Sequence, residues 1–157
     1  MRPLLYATLS FVLIFGGCKK EDTSDNCELK VEAAPASETN DLREYLESNG
    51  IQAELHEKGF YYILHDPGTG AQPDGCSQIR VNYIGKQTNG DIFDQGQKSQ
   101  FQLGGLVPGW QAGVPLMRAN GKITLYLPPY LGYGSKGSNS IPPNAILIFS
   151  IDLLEVN

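Results

Sequence analysis

Glycine and proline punctuate this chain, and that limits its fold more than any other feature. Its 157 residues include 18 Gly and 10 Pro. Both interrupt helices: glycine costs backbone entropy, and proline lacks an N–H and clashes with the preceding turn. A helical bundle is therefore disfavoured, and a sheet with many turns is expected. From Gly59 onward the hydrophobic pattern agrees. Phe60-Tyr61-Tyr62-Ile63-Leu64 is apolar without helical spacing, and Asp66-Pro67-Gly68-Thr69-Gly70 is a turn cluster. Ile79, Val81 and Tyr83 alternate with Arg80, Asn82 and Ile84, a period of two. Thr88-Asn89-Gly90-Asp91 reads as a hairpin turn into Ile92-Phe93. Ile123, Leu125 and Leu127 alternate again, and Leu147, Phe149, Ile151 and Leu153 share one face of a final strand. One short helix is predicted over 108–117, opened by Pro108-Gly109, with Trp110 and Val114 on one face. The connections are too short for parallel crossovers. The expected class is α+β, a mostly antiparallel sheet with a short helix on one face.

The region before the sheet divides into three parts. Residues 1–17 carry one charge, Arg2, and then an apolar run from Leu4 to Phe15. That run is shorter than the ~20 residues a spanning helix needs and reads as a secretory signal. Gly16-Gly17-Cys18 follows, and this arrangement resembles the lipobox of bacterial lipoproteins, with Cys18 as the lipidated residue. An ordinary cleaved signal, or a short membrane anchor, with Cys18 incidental, is the plainer alternative. Residues 18–36 are expected to be a lipid-anchored flexible tether. Residues 37–58 are expected to hold a helix and a connector. Ser37 or Thr39 is the expected cap, Leu42, Tyr45 and Leu46 form one apolar stripe, and Asn49-Gly50 is the stop. Cys27 and Cys76 remain. An exported protein allows a bridge between them, and two free thiols are the alternative.

Composition excludes several functions. Twelve basic residues against 17 acidic give −5, with a pI near 4.9. Loss of residues 1–17 would remove one base and leave −6. A nucleic-acid binder usually shows a basic face, so none is expected as a partner. Two His and three Cys supply no ordinary metal site, and neither a metal nor a cofactor is expected. Residues 132–137 satisfy GxGxxG, but Ile141-Pro142-Pro143 follows where a dinucleotide site needs a helix.

Six segments in order carry a stronger signal. They are Val81-Asn82-Tyr83-Ile84-Gly85, Gly90-Asp91-Ile92-Phe93-Asp94, Leu106-Val107-Pro108-Gly109-Trp110, Leu127 to Gly134 with its Pro128-Pro129 pair, Ile141-Pro142-Pro143-Asn144-Ala145 and Leu147-Ile148-Phe149. In this order the chain resembles the FKBP-type peptidyl-prolyl isomerases over residues 59–157. The upstream tether and helix resemble those of FKBP-type lipoproteins from Bacteroidetes-like bacteria. The resemblance implies a twisted antiparallel sheet curled around one short helix, with a pocket between them. It assigns catalytic roles to Asp94, Tyr133, Tyr83, Phe93, Trp110 and Phe149, and substrate contacts to Leu106, Val107 and Ile141. Trp110 would be the floor, Asp94 a buried acid, and the Val107 amide a hydrogen-bond donor to substrate. Where many members place an aromatic wall residue, this chain shows Ser99, unless a shifted alignment supplies Phe101.

The implied function is cis-trans isomerisation of X-Pro bonds in exported proteins. The implied partners are proline-containing polypeptides, macrolide inhibitors and, through the lipid anchor, a bacterial membrane. The molecule is expected to be a monomer at the outer membrane or its periplasmic face, with exposure at the cell surface a further option. The alternative reading is a proline-peptide-binding or holdase module with little turnover, which Ser99 favours.

Overall fold

A computed structural model describes residues 27–157. The segment 1–17 expected to be a signal and Cys18, expected to be lipidated, lie outside the described residues. Among the described residues no helix is long and apolar enough to cross a membrane.

Helix α1 spans Ala36–Ser48. Six strands follow: β1 (Glu54–Leu55), β2 (Tyr61–Asp66), β3 (Gln78–Gln87), β4 (Ile92–Gln102), β5 (Lys122–Leu127) and β6 (Leu147–Val156). Between β4 and β5 lies α2, Pro108–Gly113, continued by a 3-10 turn, Val114–Leu116. The sheet order is β1-β2-β5-β6-β3-β4, and every neighbouring pair is antiparallel. The predicted hairpin joins β3 to β4, with Gly90 at φ 90° and the Gln87 N–H donating to Asp91 O at 2.9 Å.

Two layers cover the two faces. On the concave face, α2 packs over Leu125, Leu127, Phe149 and Ile151, all buried. Two glycines permit the close contact. A Cβ at Gly109 would lie 2.4 Å from Leu127, and one at Gly113 would lie 2.7 Å from Leu125. The helix backbone therefore rests directly on β5. On the other face, Leu42 and Leu46 of α1 are 0% and 3% exposed, packed with Tyr126, Tyr61, Ile63 and Ile148. Tyr45 joins the edge of that cluster, as the helical spacing requires. The stop at Asn49-Gly50 holds too: Gly50 takes φ 65°, and the Ile51 N–H donates back to Leu46 O at 2.9 Å.

Two expectations are corrected. The cap of α1 is Pro35, with no side-chain cap bond, because the helix opens one residue earlier than expected. Thr39 instead lies inside it and donates its hydroxyl to Gly59 O at 3.1 Å, stitching α1 to the loop before β2. The flexible tether expected over 18–36 is not what residues 27–36 form. That stretch has no regular structure before Ala36, yet Leu29, Val31 and Ala34 pack against the concave-face core. Its start is pinned by a disulfide, Cys27 to Cys76, with Cα atoms 5.0 Å apart, and by the Gly75 N–H donating to Cys27 O. Scattered apolar residues without period give no sequence sign that a segment is docked.

The bridge closes a loop of 49 residues. Chain entropy alone makes such a closure worth about 4 kcal/mol, with typical measured values of about 2–4 kcal/mol. A soluble form carrying Cys18→Ser should show no reactive thiol before reduction and two after it. Urea unfolding of the paired Cys27→Ser, Cys76→Ser variant should show a loss of about 2–4 kcal/mol.

Candidate active site

The site is built where α2 meets the strongly twisted β3, β4 and β6. Val107 is the N-cap residue of α2 and Pro108 occupies its first turn, where a missing N–H costs nothing. One residue after Gly109, Trp110 enters the sheet's concavity and is 3% exposed. Three rings stand edge-on to its indole. Phe149 lies 5.3 Å away by ring centroids, Tyr83 5.4 Å and Phe101 6.3 Å. Edge-to-face contact puts each positive ring edge against a negative ring face. The indole becomes the floor of a cleft of about 340 Å³. Tyr83, Phe101 and Phe149 wall it, Gly105, Leu106 and Val107 form one lip, and Tyr133 and Asp94 stand at the other side.

Register explains the walls. Tyr83 pairs with Gly96 and Gly85 with Asp94, so these four share the face toward α2. Strand β4 carries an extra residue at each of two points, between the pairs Val81–Ser99 and Tyr83–Gly96, and between Gly85–Asp94 and Lys86–Ile92. The second bulge turns consecutive residues inward together: Phe93 packs edge-on against Phe149 at 5.4 Å while Asp94 lines the cleft. The first bulge, with Lys98 at φ 53°, resets the strand so that Phe101 faces Trp110. The aromatic wall is therefore Phe101, the shifted alternative, and not Ser99. Simple alternation through β4 cannot locate it. Gly96 and the polar run to Gln100 were the available signs of a bulge.

Seven of the nine residues singled out in the sequence converge on the cleft: Tyr83, Asp94, Leu106, Val107, Trp110, Tyr133 and Phe149. Two do not line it. Phe93 stands behind Phe149, and Ile141 is 7% exposed in the core, bridged to Ser138 through backbone hydrogen bonds of 2.7 and 3.0 Å. Asp94 is corrected from a buried acid to an exposed one. It belongs to β4, the edge of the sheet, where a short carboxylate reaches water. A wider groove of about 470 Å³ lies along Asn82, Ile84, Gln97 and Asp152 on the outward side of the same strands. It lacks converging rings, so the chemistry favours the smaller cleft.

The two rim hydroxyls, of Tyr83 and Tyr133, are donors, and the Asp94 carboxylate beside them is an acceptor. The Tyr83 hydroxyl donates to Asp94 Oδ2 at 2.9 Å. Burial, reinforced by this bond, pushes the Tyr83 phenol up to about 12. Burial and then the Asp94 charge also raise the Tyr133 phenol. Both hydroxyls thus stay protonated at neutral pH. The Val107 amide donates to no carbonyl among the described residues. Among them the one cluster with metal-ligand spacing is Cys27, Asp74 and Cys76, whose two sulfurs are already joined to each other. Residues 132–137 contain a 3-10 turn, Gly134–Lys136, and no helix follows before Ile141, so the GxGxxG match has no dinucleotide context.

Fold and cleft together define a small sheet-and-helix domain with an aromatic pocket. The family model for FKBP-type peptidyl-prolyl cis-trans isomerase matches residues 70–154, and the chain belongs to this family. It is 38% identical over 119 residues to the FKBP-type peptidyl-prolyl cis-trans isomerase FkpA of Aeromonas hydrophila, covering 72% of this chain and 44% of that protein. It is 32% identical over 154 residues to a probable FKBP-type isomerase of Haemophilus influenzae, covering 88% of this chain and 64% of that one. The crystal structure of FkpA from Escherichia coli superposes with a TM-score of 0.70 at 34% identity, over 78% of this chain and 60% of that one. The chain thus spans between two fifths and two thirds of the length of these curated relatives.

The Tyr83–Asp94 pair has a pH signature. A phenol raised in the folded state contributes stability that is present below pH 10 and lost as pH rises through about 12. In an alkaline NMR titration the Tyr83 ring should ionise near 12, and Asp94→Asn should move that midpoint down toward 10. An unchanged midpoint would show that the carboxylate contributes nothing.

Proposed function

We propose that the chain is a peptidyl-prolyl cis-trans isomerase acting on exported polypeptides. The observation that carries this is the cleft floored by a Trp110 indole only 3% exposed and walled by three further rings. An X-Pro bond turns over a barrier of ~18–20 kcal/mol because the planar amide is held by resonance. Resonance places negative charge on oxygen and positive charge on nitrogen, and water solvates that form better than the twisted one. A proline ring seated on Trp110 leaves that water behind, so the twisted form loses its disadvantage. The Val107 N–H donates to a substrate carbonyl and fixes its register. The Tyr133 hydroxyl donates to the carbonyl of the bond being turned. Asp94, exposed at the rim, acts on Tyr83 by holding its hydroxyl. Each factor of ten in rate needs only ~1.4 kcal/mol, which such contacts can supply. No step calls for a nucleophile, a metal or a cofactor.

Phe101 in the wall removes the thin side that Ser99 suggested, and with it the observation that favoured a binding module without turnover. NMR exchange on an Ala-Leu-Pro-Phe peptide tests the reading. Trp110→Ala and Asp94→Leu should each lower kcat/KM about tenfold or more while circular dichroism stays native, and a macrolide should inhibit the parent protein. If both variants turn the peptide over at the parent rate, the site assignment fails.

We infer that the protein works in an oxidising compartment, tethered through lipid on Cys18 to a bacterial membrane. The Cys27–Cys76 bridge supports the compartment, since such bonds persist where thiols are not kept reduced. Lipid chains, worth ~0.8 kcal/mol per buried CH₂, would anchor a domain that has no spanning helix among its described residues. In a bacterial expression host, Cys18→Ser should release the protein from the membrane fraction and abolish the acyl mass increment at the new N-terminus. Retention of both would refute the anchor.

A further inference from the structure

The segment before α1 has a use beyond its disulfide. It crosses the start of α2, where Val31 and Glu32 share a shallow groove with Pro108, Gln111 and Tyr130. Tyr130 belongs to the 3-10 turn Pro129–Leu131 that leaves β5. The turn begins with Pro128-Pro129, neither of which has an N–H, so its first available donor is the Tyr130 amide. Glu38, at the start of α1, accepts from that amide with Oε2 at 2.7 Å. The Tyr130 hydroxyl donates to Glu32 Oε2 at 3.0 Å. Two carboxylates more than 90 residues upstream thus hold both ends of one tyrosine. Leu131, the next residue, is fully buried, and two residues further Tyr133 stands at the cleft. The turn is held from below by buried Pro129 and Leu131 and by the Leu131 and Gly132 amides donating to Pro128 O and Pro129 O, while Tyr130 itself is 43% exposed and is held by the two carboxylates.

We propose that Glu32 and Glu38 are positioning residues: through Tyr130 they fix the turn that presents the Tyr133 hydroxyl to the cleft. This rests on the isomerase reading only for its effect on rate. Without the Glu38 carboxylate the leading N–H of the turn loses its partner, the turn loosens about the buried Leu131, and Tyr133 samples positions off the cleft. A glutamine keeps an acceptor oxygen at the same reach and preserves the geometry without the charge.

The test uses protein with carbon-13-labelled tyrosine rings, with the Tyr133 signal assigned through Tyr133→Phe. Glu38→Ala should shift the Tyr133 ring resonance and speed exchange of the Tyr130 amide. It should lower kcat/KM on an Ala-Leu-Pro-Phe peptide about three- to tenfold, and Glu38→Gln should restore all three. Tyr130→Phe, which removes only the bond to Glu32, should shift the same resonance by less. In a Tyr133→Phe background, Glu38→Ala should cost nothing further, as expected if it acts through Tyr133. An unmoved Tyr133 resonance in Glu38→Ala, or an equal loss of rate in both backgrounds, would overturn the proposal. If the parent protein shows no isomerase activity, the proposed function fails, and the Tyr133 resonance still decides the positioning role.

Discussion

The contact between the backbone of α2 and strand β5 is the constraint on which the rest depends. Gly109 and Gly113 leave no side chain between helix and sheet, and Leu127 and Leu125 fill the space where a Cβ would be. That close approach sets Trp110 deep in the concavity, with Tyr83, Phe101 and Phe149 edge-on around it. A longer side chain at either glycine would lift the helix and the indole with it. The lip residues Leu106 and Val107 would move too, since they lead directly into the helix. Core packing and site geometry are here one interaction.

The two covered faces of the sheet divide the work. The concave face holds the cleft and most of the buried volume. The other face is closed by α1, whose Leu42 and Leu46 bury Tyr126 and Ile148. Because β5 and β6 contribute to both faces, α1 stiffens the strands that carry Phe149. The N-terminal segment adds a third restraint, with the Cys27–Cys76 bridge at one end and contacts to Tyr130 at the other. A domain of this size relies on such outlying contacts because each contributes a sizeable share of a small net stability.

Much of this is legible in the sequence. Alternation in 79–84 and 147–153 marked β3 and β6, since a half-buried strand must place every second residue inward. Asn89-Gly90 marked the hairpin, and Leu42, Tyr45 and Leu46 marked the buried side of α1. The failures have equally particular causes. Bulges in β4 shift the face of every later residue, so Phe101 was ambiguous and Ser99 was the wrong candidate for the wall. Asp94 was expected to be buried, but an edge strand leaves its carboxylate in water. Phe93 and Ile141 point to the core beside the cleft, a distinction of a few ångströms that period cannot express. The segment after Cys27 has no period at all, and its docking depends on a partner cysteine and a turn far along the chain.

The sequence by itself determined the elements and the chemistry on offer: strands by alternation, turns by glycine and proline, and a set of aromatic side chains without nucleophile or metal ligand set. Those follow from local sterics and from which side chains water excludes. Only the tertiary structure decided which rings face one another, where the acid meets solvent and what the N-terminal segment holds. Each of these depends on pairs such as Tyr83 with Asp94, Trp110 with Phe149, and Glu38 with Tyr130. Such pairs are brought together by register and by helix approach, and no local rule specifies either.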